Sequence, residues 1–170
     1  MLSVGEHVFN TKFLLFPLSN MRALIRRVLS AEVLVEGKSV GQIKEGMVVY
    51  LGVHRNDSDE DMEWLLNKIL GLRIFDDADG SLNYSVLSTH GILAISQFTL
   101  FGNVRKGFRP SFNQAASPEM GLMYFDRFVH ALKENFSGLV AQGVFGAEME
   151  IHTVEDGPVN IWIDSQERRY

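Results

Sequence analysis

The chain has 170 residues, 46% of them apolar, a length and composition that suit one globular domain with a single core. Its net charge of −5 argues against a protein that coats a long stretch of nucleic acid, although it leaves room for contact with a few nucleotides. The absence of cysteine excludes disulfides, thiolate metal sites and a cysteine nucleophile, and a core without disulfides suits a cytoplasmic protein.

The first twenty residues differ from the rest of the chain. The stretch Val8–Leu18 is apolar, but its charged flank is poor and no small-residue cleavage site follows, which favours an appended or alternatively started segment over a secretion signal. No apolar run in the chain reaches the roughly 18–20 residues that cross a bilayer, so no membrane contact is predicted. We therefore predict an extension over 1–20, a domain over 21–165 and a polar tail over 166–170.

Strand patterns dominate the beginning of the predicted domain. Ala23–Ile25 leads into Val33–Val35, and Glu36–Lys38 is typical of a hairpin turn. The continuous apolar run Met47–Val53 predicts a strand that is covered on both faces.

A first helix is predicted from Ser58, which can cap it with Asp61 three residues on, to Gly71. Its apolar residues fall at helical spacing: Met62, Leu65, Leu66 and Ile69. A second helix is predicted from Ser117 and Pro118, a cap followed by proline at the first helical position. Its predicted buried stripe comprises Leu122, Phe125, Phe128, Val129 and Leu132.

The remaining elements are predicted as strands. Ile92–Ile95 is a buried strand that runs straight into Ser96–Thr99. Two closing strands are predicted, around Leu139-Val140 and over 149–163, with a break at Gly157-Pro158. Because strands outnumber helices, the sequence predicts a single α+β domain.

The common catalytic signatures are missing from the chain. There is no G-x-S-x-G elbow, no phosphate-binding glycine loop and no H-E-x-x-H motif. The histidines are scattered without metal-ligand spacing at positions 7, 54, 90, 130 and 152, so we predict neither a metal nor another cofactor. Taken singly, the basic groups at Arg26-Arg27, Arg105–Arg109 and Arg168-Arg169 favour solvated surface.

Two segments break the local pattern, and such breaks tend to mark function. Polar side chains in Ser96–Thr99 end an apolar strand, which allows either a satisfied strand end or a cavity lining. Asp156–Asn160 interrupts another strand with a proline that cannot donate to a sheet. That interruption allows either a plain bulge or a turn that presents backbone carbonyls.

Together these segments resemble the two signature motifs of the D-aminoacyl-tRNA deacylase family, as Ser96–Leu100 and Asp156–Val159. The resemblance extends over the chain from Met21 to Ile163, and further segments match in order and spacing: 21–28, 70–75, 107–112 and 143–149. It implies a mixed, barrel-like sheet with two main helices. It also implies a cytoplasmic homodimer with active sites at its interface, acting without a cofactor on the acceptor end of tRNA and its 3′-terminal adenosine.

The resemblance also implies roles for individual residues. The catalytic pocket around the ester would be formed by Ser96, Gln97, Phe98 and Thr99. The carbonyls of Gly157 and Pro158, joined by a cis bond and projecting from one subunit into the other, would hold the substrate's amino group and exclude L-amino acids. The other implied substrate-binding residues are Arg27, which would brace that motif, Phe145 near the terminal adenine, and Arg109, Pro110 and Ser111.

Two mechanisms remain open for the hydrolysis. In the first, Thr99 is a nucleophile, which requires an adjacent base that the nearby sequence does not supply. In the second, Thr99 is a pocket residue. In the second case, donors near Gln97 and Phe98 stabilise the oxyanion and the terminal 2′-hydroxyl of the tRNA assists, as in the family. The missing base favours this RNA-assisted route.

One departure from the family pattern is Asn160, where threonine is usual. It motivates one rival interpretation, a nucleic-acid-binding member that has lost or altered deacylase specificity. A second rival is an ester hydrolase that acts on L-aminoacyl-tRNA.

Overall fold

The computed structural model of the protein describes residues 20–168. Apart from Asn20, the predicted N-terminal extension lies outside the described residues, and so do the last two residues of the predicted tail. Between them, the chain forms the following elements: β1 (Arg22–Val35), β2 (Lys38–Ile43), β3 (Gly46–Gly52), α1 (Asp59–Leu70), β4 (Phe75–Asp76), β5 (Leu82–Tyr84), β6 (Gly91–Ser96), α2 (Pro118–Asn135), β7 (Leu139–Gln142) and β8 (Glu150–Asp164). Two short 3-10 helices cover Phe98–Phe101 and Ser165–Glu167.

Strand β1 organises the main sheet. One edge of β1 pairs antiparallel with β3 and then with β2, and its other edge pairs with β8 along most of its length. Strands β3, β6 and β7 follow in parallel. The sheet curls until β2 lies beside β7, so close that a Cβ on Gly41 would sit 2.6 Å from the Gln142 carbonyl oxygen. The predicted α+β fold with a barrel-like sheet and two main helices is confirmed.

The two faces of this sheet bury two separate cores, as the alternation of side chains along a strand requires. In β3, Met47, Val49 and Leu51 pack toward the helices, whereas Val48 points into the barrel. The barrel interior is filled by Val28, Ala31, Val33, Ile43, Val48, Leu93 and Ile95. The strand predicted over Met47–Val53 is therefore covered on both faces, as expected.

Both helices begin at their predicted caps. Ser58 and Asp61 form a capping box at α1, and Ser117 accepts a hydrogen bond from the Met120 N–H at α2. All four apolar residues predicted for the buried face of α1 are buried. One member of the α2 stripe is wrong: Leu122 is 42% exposed, because the helical period turns Tyr124 inward instead. Among the described residues, neither helix is long and apolar enough to span a membrane.

Two strand predictions need adjustment. Strand β6 ends at Ser96, and the chain turns into the 3-10 helix Phe98–Phe101 rather than continuing as strand through Thr99. Strand β8 runs continuously through the predicted break, but the break is visible in its pairing with β1. The register passes from Arg26 opposite Asn160 to Val28 opposite Glu155, so the intervening residues of β8 bulge outward.

Three carboxylates are buried where the β3–α1 turn meets the end of β8: Asp57, Asp61 and Asp164. Asp57 accepts hydrogen bonds from the backbone N–H groups of Asn20 (2.9 Å) and His54 (2.6 Å). Burial, with smaller contributions from the nearby Asp61 and Asp164, raises the pKa of the Asp57 carboxyl to about 7, although the hydrogen bonds from His54 and Asn20 oppose the shift. The folded protein therefore holds a proton on Asp57 in a range where the unfolded chain has lost it.

This difference predicts that stability falls as the pH rises from about 4 to about 7 and levels off above that range. Within it, the folded state binds one more proton than the unfolded state, so the free energy of unfolding decreases by roughly 2–4 kcal/mol. Urea denaturation at pH 5 and pH 8, on the wild type and on Asp57→Asn, measures the effect. The variant should lose the part of the pH dependence that belongs to Asp57, and equal pH dependence in both proteins would contradict the prediction.

Candidate active site

A cavity of about 560 Å³ opens beside the carboxyl ends of the parallel strands β3 and β6. Ligands of open parallel sheets commonly bind at this edge. Polar side chains reach the cavity from Ser96, Gln97 and Ser117, and the other lining residues are apolar or glycine. Among the described residues, therefore, the lining contains no histidine, carboxylate, lysine, arginine or tyrosine.

The polar wall of the cavity is the segment that ends β6. The Gln97 N–H donates to the Leu51 carbonyl at 2.7 Å, which fixes the turn against β3. The side-chain amide of Gln97 donates to the Thr99 hydroxyl. Phe98 lines the cavity and begins the 3-10 helix Phe98–Phe101, where the first N–H groups have no partner within the helix, whereas Thr99 is not among the lining residues. This wall therefore presents amide donors rather than a base.

The opposite wall comes from α2 and from the loop between β7 and β8. Phe145 of that loop is half-buried, and its ring lies 6.2 Å from the ring of Phe125. A Cβ on Gly121 would sit 3.2 Å from the Phe145 ring, so glycine at this position lets the loop approach the helix closely. Phe145 is thus brought to the same cavity as Ser96 and Gln97.

Sequence reasoning missed part of the cavity wall, the run Ala115–Pro118 that leads into α2, together with Gly121. A row of small residues before and within an amphipathic helix marks places where space can remain. That pattern was visible in the sequence, but nothing in it indicated which residues would face the space.

The Gly157-Pro158 motif lies elsewhere on the chain. Both residues are exposed on the outward bulge of β8, their peptide bond is cis, and neither lines the cavity of its own chain. Exposed apolar side chains flank the motif along β8: Val154 is 53% exposed and Trp162 is 43% exposed. Within one chain, then, the two signature motifs do not meet.

Arg27 braces the base of this bulge from inside the protein. It is 6% exposed and forms an ion pair with the Asp156 carboxylate at 2.9 Å. Its guanidinium also donates to the Ile74 carbonyl at 2.8 Å and to the Asp76 carboxylate at 3.2 Å. Interpreting Arg27 as part of a solvated surface group is therefore wrong, because it is a buried cation with several acceptors.

The other predicted site residues lie on exposed surfaces. Arg109, Pro110 and Ser111 belong to the loop after the 3-10 helix, where Ser111 pairs with Asn103 through two backbone hydrogen bonds. Asn160 lies on β8 beyond the bulge, and its side-chain oxygen accepts a hydrogen bond from Arg26 at 3.2 Å. None of these four residues lines the cavity of its own chain.

Comparison with known proteins identifies the family to which the chain is similar. The model of the family described as D-Tyr-tRNA(Tyr) deacylase matches residues 24–164. Proteins named D-aminoacyl-tRNA deacylase from Thermotoga petrophila and Aquifex aeolicus are 51% and 52% identical to the chain. The first alignment covers 85% of this chain and 97% of the relative, and the second covers 86% and 99%.

Solved structures extend the comparison. A c-Myc DNA unwinding element binding protein is similar with a TM-score of 0.76 and 35% identity, over 84% of this chain and 97% of the other. A probable eukaryotic D-amino acid tRNA deacylase shares the fold with a TM-score of 0.74 at 20% identity, over 85% and 99%. The family match over nearly the whole described region, together with relatives of about 50% identity, shows that the chain belongs to the D-aminoacyl-tRNA deacylase family.

Proposed function

We propose that the protein is an editing hydrolase that cleaves the ester of D-aminoacyl-tRNA and releases the free D-amino acid and tRNA. The observation that carries the proposal is a cavity with donors at its polar wall and no ionisable side chain among the described lining residues. Such a site suits a substrate that is already activated, as an aminoacyl ester is, and that mainly needs to be positioned. The alanine tRNA mischarged with glycine is proposed as a second substrate.

In a single chain, the side-chain oxygen acceptors in the described lining are those of Ser96, Gln97 and Ser117, and the substrate's α-ammonium group would need further acceptors. Gly157 and Pro158 are exposed residues that do not line the cavity of their own subunit, and their carbonyl oxygens would supply such acceptors. We therefore propose a homodimer in which each motif enters the partner's cavity. The exposed Val154 and Trp162 beside the motif would be covered by the same contact.

Chirality is then selected by the main chain. When the ammonium group is held by the carbonyl oxygens, a D-amino acid or glycine directs a hydrogen of its Cα toward these carbonyls. An L-amino acid must place its side-chain carbon there instead. Such a wall excludes the L-enantiomer by steric clash and makes no contact that depends on the identity of the side chain. This explains how one cavity could accept many D-amino acids and also glycine.

Hydrolysis is proposed to follow the RNA-assisted route. Water attacks the carbonyl carbon with help from the terminal 2′-hydroxyl, the bond to the ribose oxygen breaks, and that oxygen leaves protonated with the tRNA. The charge on the carbonyl oxygen is stabilised by the Phe98 N–H and the Gln97 amide. The Gln97 N–H is not available for this role because it is bonded to Leu51.

Thr99 provides the test between the two mechanisms. Its hydroxyl accepts a hydrogen bond from the Gln97 amide, which is a donor and cannot remove the hydroxyl proton. We expect Thr99→Ala to lower the rate of deacylation by less than about tenfold, whereas loss of a covalent nucleophile costs on the order of 10⁶-fold in kcat. Single-turnover deacylation measures the rate, and near-total loss with retained folding and tRNA binding would overturn the RNA-assisted route.

The function itself is tested by deacylation of D-, L- and glycyl-tRNA under one set of conditions. We expect hydrolysis of the D- and glycyl-esters and no hydrolysis of the L-ester. Hydrolysis of none of them would indicate a binding protein, and preference for the L-ester would indicate the inverted specificity.

A further inference from the structure

The loop 102–112, here called the basic arm, lies at the surface beside the cavity and contains Arg105, Lys106 and Arg109. The base of the loop is closed by an isolated bridge between Asn103 and Ser111, whose backbones exchange hydrogen bonds at 2.9 and 3.0 Å. A further bond from the Arg105 N–H to the Asn103 side chain holds the turn that follows. The arm is thus a surface loop that is closed at its base by hydrogen bonds.

The tip of the basic arm combines charge with an exposed aromatic ring. Arg105, Lys106 and Arg109 are all exposed, and within the described residues none of them forms an ion pair. The loop 102–112 contains no Asp or Glu, in a chain whose overall charge is −5. Phe108, which lies between Lys106 and Arg109 in the sequence, is completely exposed, and Val104, which precedes Arg105, is 61% exposed.

The base of the arm joins the wall of the cavity. Phe112 lies edge-on to Phe98, with ring centroids 5.1 Å apart, and both rings line the cavity. A Cβ on Gly102 would sit 3.3 Å from the Phe112 ring. The two ends of the arm are therefore close to each other and to the cavity wall. A chain that enters the cavity by its end can therefore continue along the arm.

We propose that the basic arm binds the unpaired nucleotides that precede the terminal adenosine of the tRNA. This inference rests on the proposed function, because it takes the cavity as the site of the aminoacylated end. Lone cations on both sides of an exposed ring suit single-stranded RNA, in which phosphates meet the cations and a base stacks on the ring. A folded protein partner would offer the ring a pocket but would not require three neighbouring cations.

The first test measures binding of uncharged RNA, which does not depend on deacylation. A stem-loop RNA with a four-nucleotide single-stranded 3′ end is labelled at its 5′ end and titrated by fluorescence anisotropy. We expect Phe108→Ala to weaken binding by about tenfold. We expect Arg105→Gln with Lys106→Gln to weaken it about tenfold and to reduce the slope of log affinity against log salt by about 1.4, or about 0.7 for each cation removed.

Matched controls remove the same features elsewhere on the surface. Lys38→Gln with Lys44→Gln removes two exposed cations, and Leu82→Ala removes an apolar side chain that is 52% exposed. These controls should bind the RNA as the wild type does. The proposal would be overturned if the arm variants bound the RNA as tightly as the controls do. It would also be overturned if the arm variants lost as much affinity for a blunt-ended RNA as for the RNA with a single-stranded 3′ end.

The second test uses catalysis to locate the contact. For Phe108→Ala, the ratio of kcat/KM on D-aminoacyl-tRNA to kcat/KM on the D-aminoacyl ester of adenosine alone should fall about tenfold. An unchanged ratio would place the arm away from the preceding nucleotides and overturn the proposal. If no substrate is hydrolysed, the proposed function fails, but the anisotropy result still decides the role of the arm.

Discussion

Gly157→Ala is expected to lower kcat/KM for D-aminoacyl-tRNA by about 100-fold or more while the protein remains folded. Gly157 has a φ of +125°, which L side chains rarely adopt. An added Cβ would sit 2.7 Å from the Val159 nitrogen and 2.8 Å from its Cγ2, so the backbone must shift. In the proposed site the neighbouring carbonyls hold the substrate, and a displacement of about 1 Å is enough to cost about 100-fold in rate.

The control for this prediction is Gly80→Ala. Gly80 also has a positive φ, of +75°, but it lies in the turn between β4 and β5, and nothing is within 4 Å of an added Cβ. Both variants place alanine at a positive φ, but only Gly157→Ala brings the added Cβ against neighbouring atoms, and only Gly157 lies in the proposed site. Steady-state deacylation and thermal unfolding of both proteins measure the outcome. Equal activity of Gly157→Ala and Gly80→Ala would exclude the motif from the active site.

Arg27→Met is expected to have the second-largest effect, on stability and activity together. The variant leaves the Ile74 carbonyl without its donor, and it leaves Asp76 and Asp156 without their cation. Because both carboxylates are partly exposed, we expect a loss of about 2–3 kcal/mol in the free energy of unfolding, below the cost of breaking a fully buried pair. We also expect kcat/KM to fall at least about tenfold, because the base of the bulge loses its brace.

Arg26→Met is the matched control, since Arg26 is the neighbouring residue on the opposite face of β1. Its ion pair with Glu155 is about one-third exposed, and such pairs contribute about 0–1 kcal/mol. Urea denaturation and deacylation assays compare the two variants. To separate positioning from stability, Arg27→Met is also assayed on both D- and L-aminoacyl-tRNA. A loss of activity with no change in the ratio of the two would contradict the bracing role.

The elements with strong local patterns were predictable from the sequence. Ser58 and Ser117 begin the two helices because a side-chain cap satisfies N–H groups that the helix cannot. The turn after β1 was predictable from the sequence Glu36–Lys38, which contains a glycine. In the structure, Glu36 and Gly37 take positive φ values of +50° and +72°. Such features depend on neighbouring residues alone, so a single sequence contains the information that specifies them.

Features set by distant residues were not predictable in the same way. The burial of Arg27 depends on acceptors at Ile74, Asp76 and Asp156, which only the folded sheet brings together. The 3-10 turn after Ser96 depends on the hydrogen bond from Gln97 to Leu51 on another strand. Likewise, the pattern that marks Gly157-Pro158 gives no indication that the motif lies outside the cavity of its own chain.

The described lining of the cavity contains no titratable side chain, and this limits the routes by which the activity of such an enzyme can evolve. Its rate and selectivity would depend on where main-chain atoms lie, and no single side chain is available whose replacement retunes an acid or a base. New substrate preferences would then arise through altered loop positions and subunit contacts. Divergence of function is therefore expected from substitutions outside the cavity lining, such as those at Asn160.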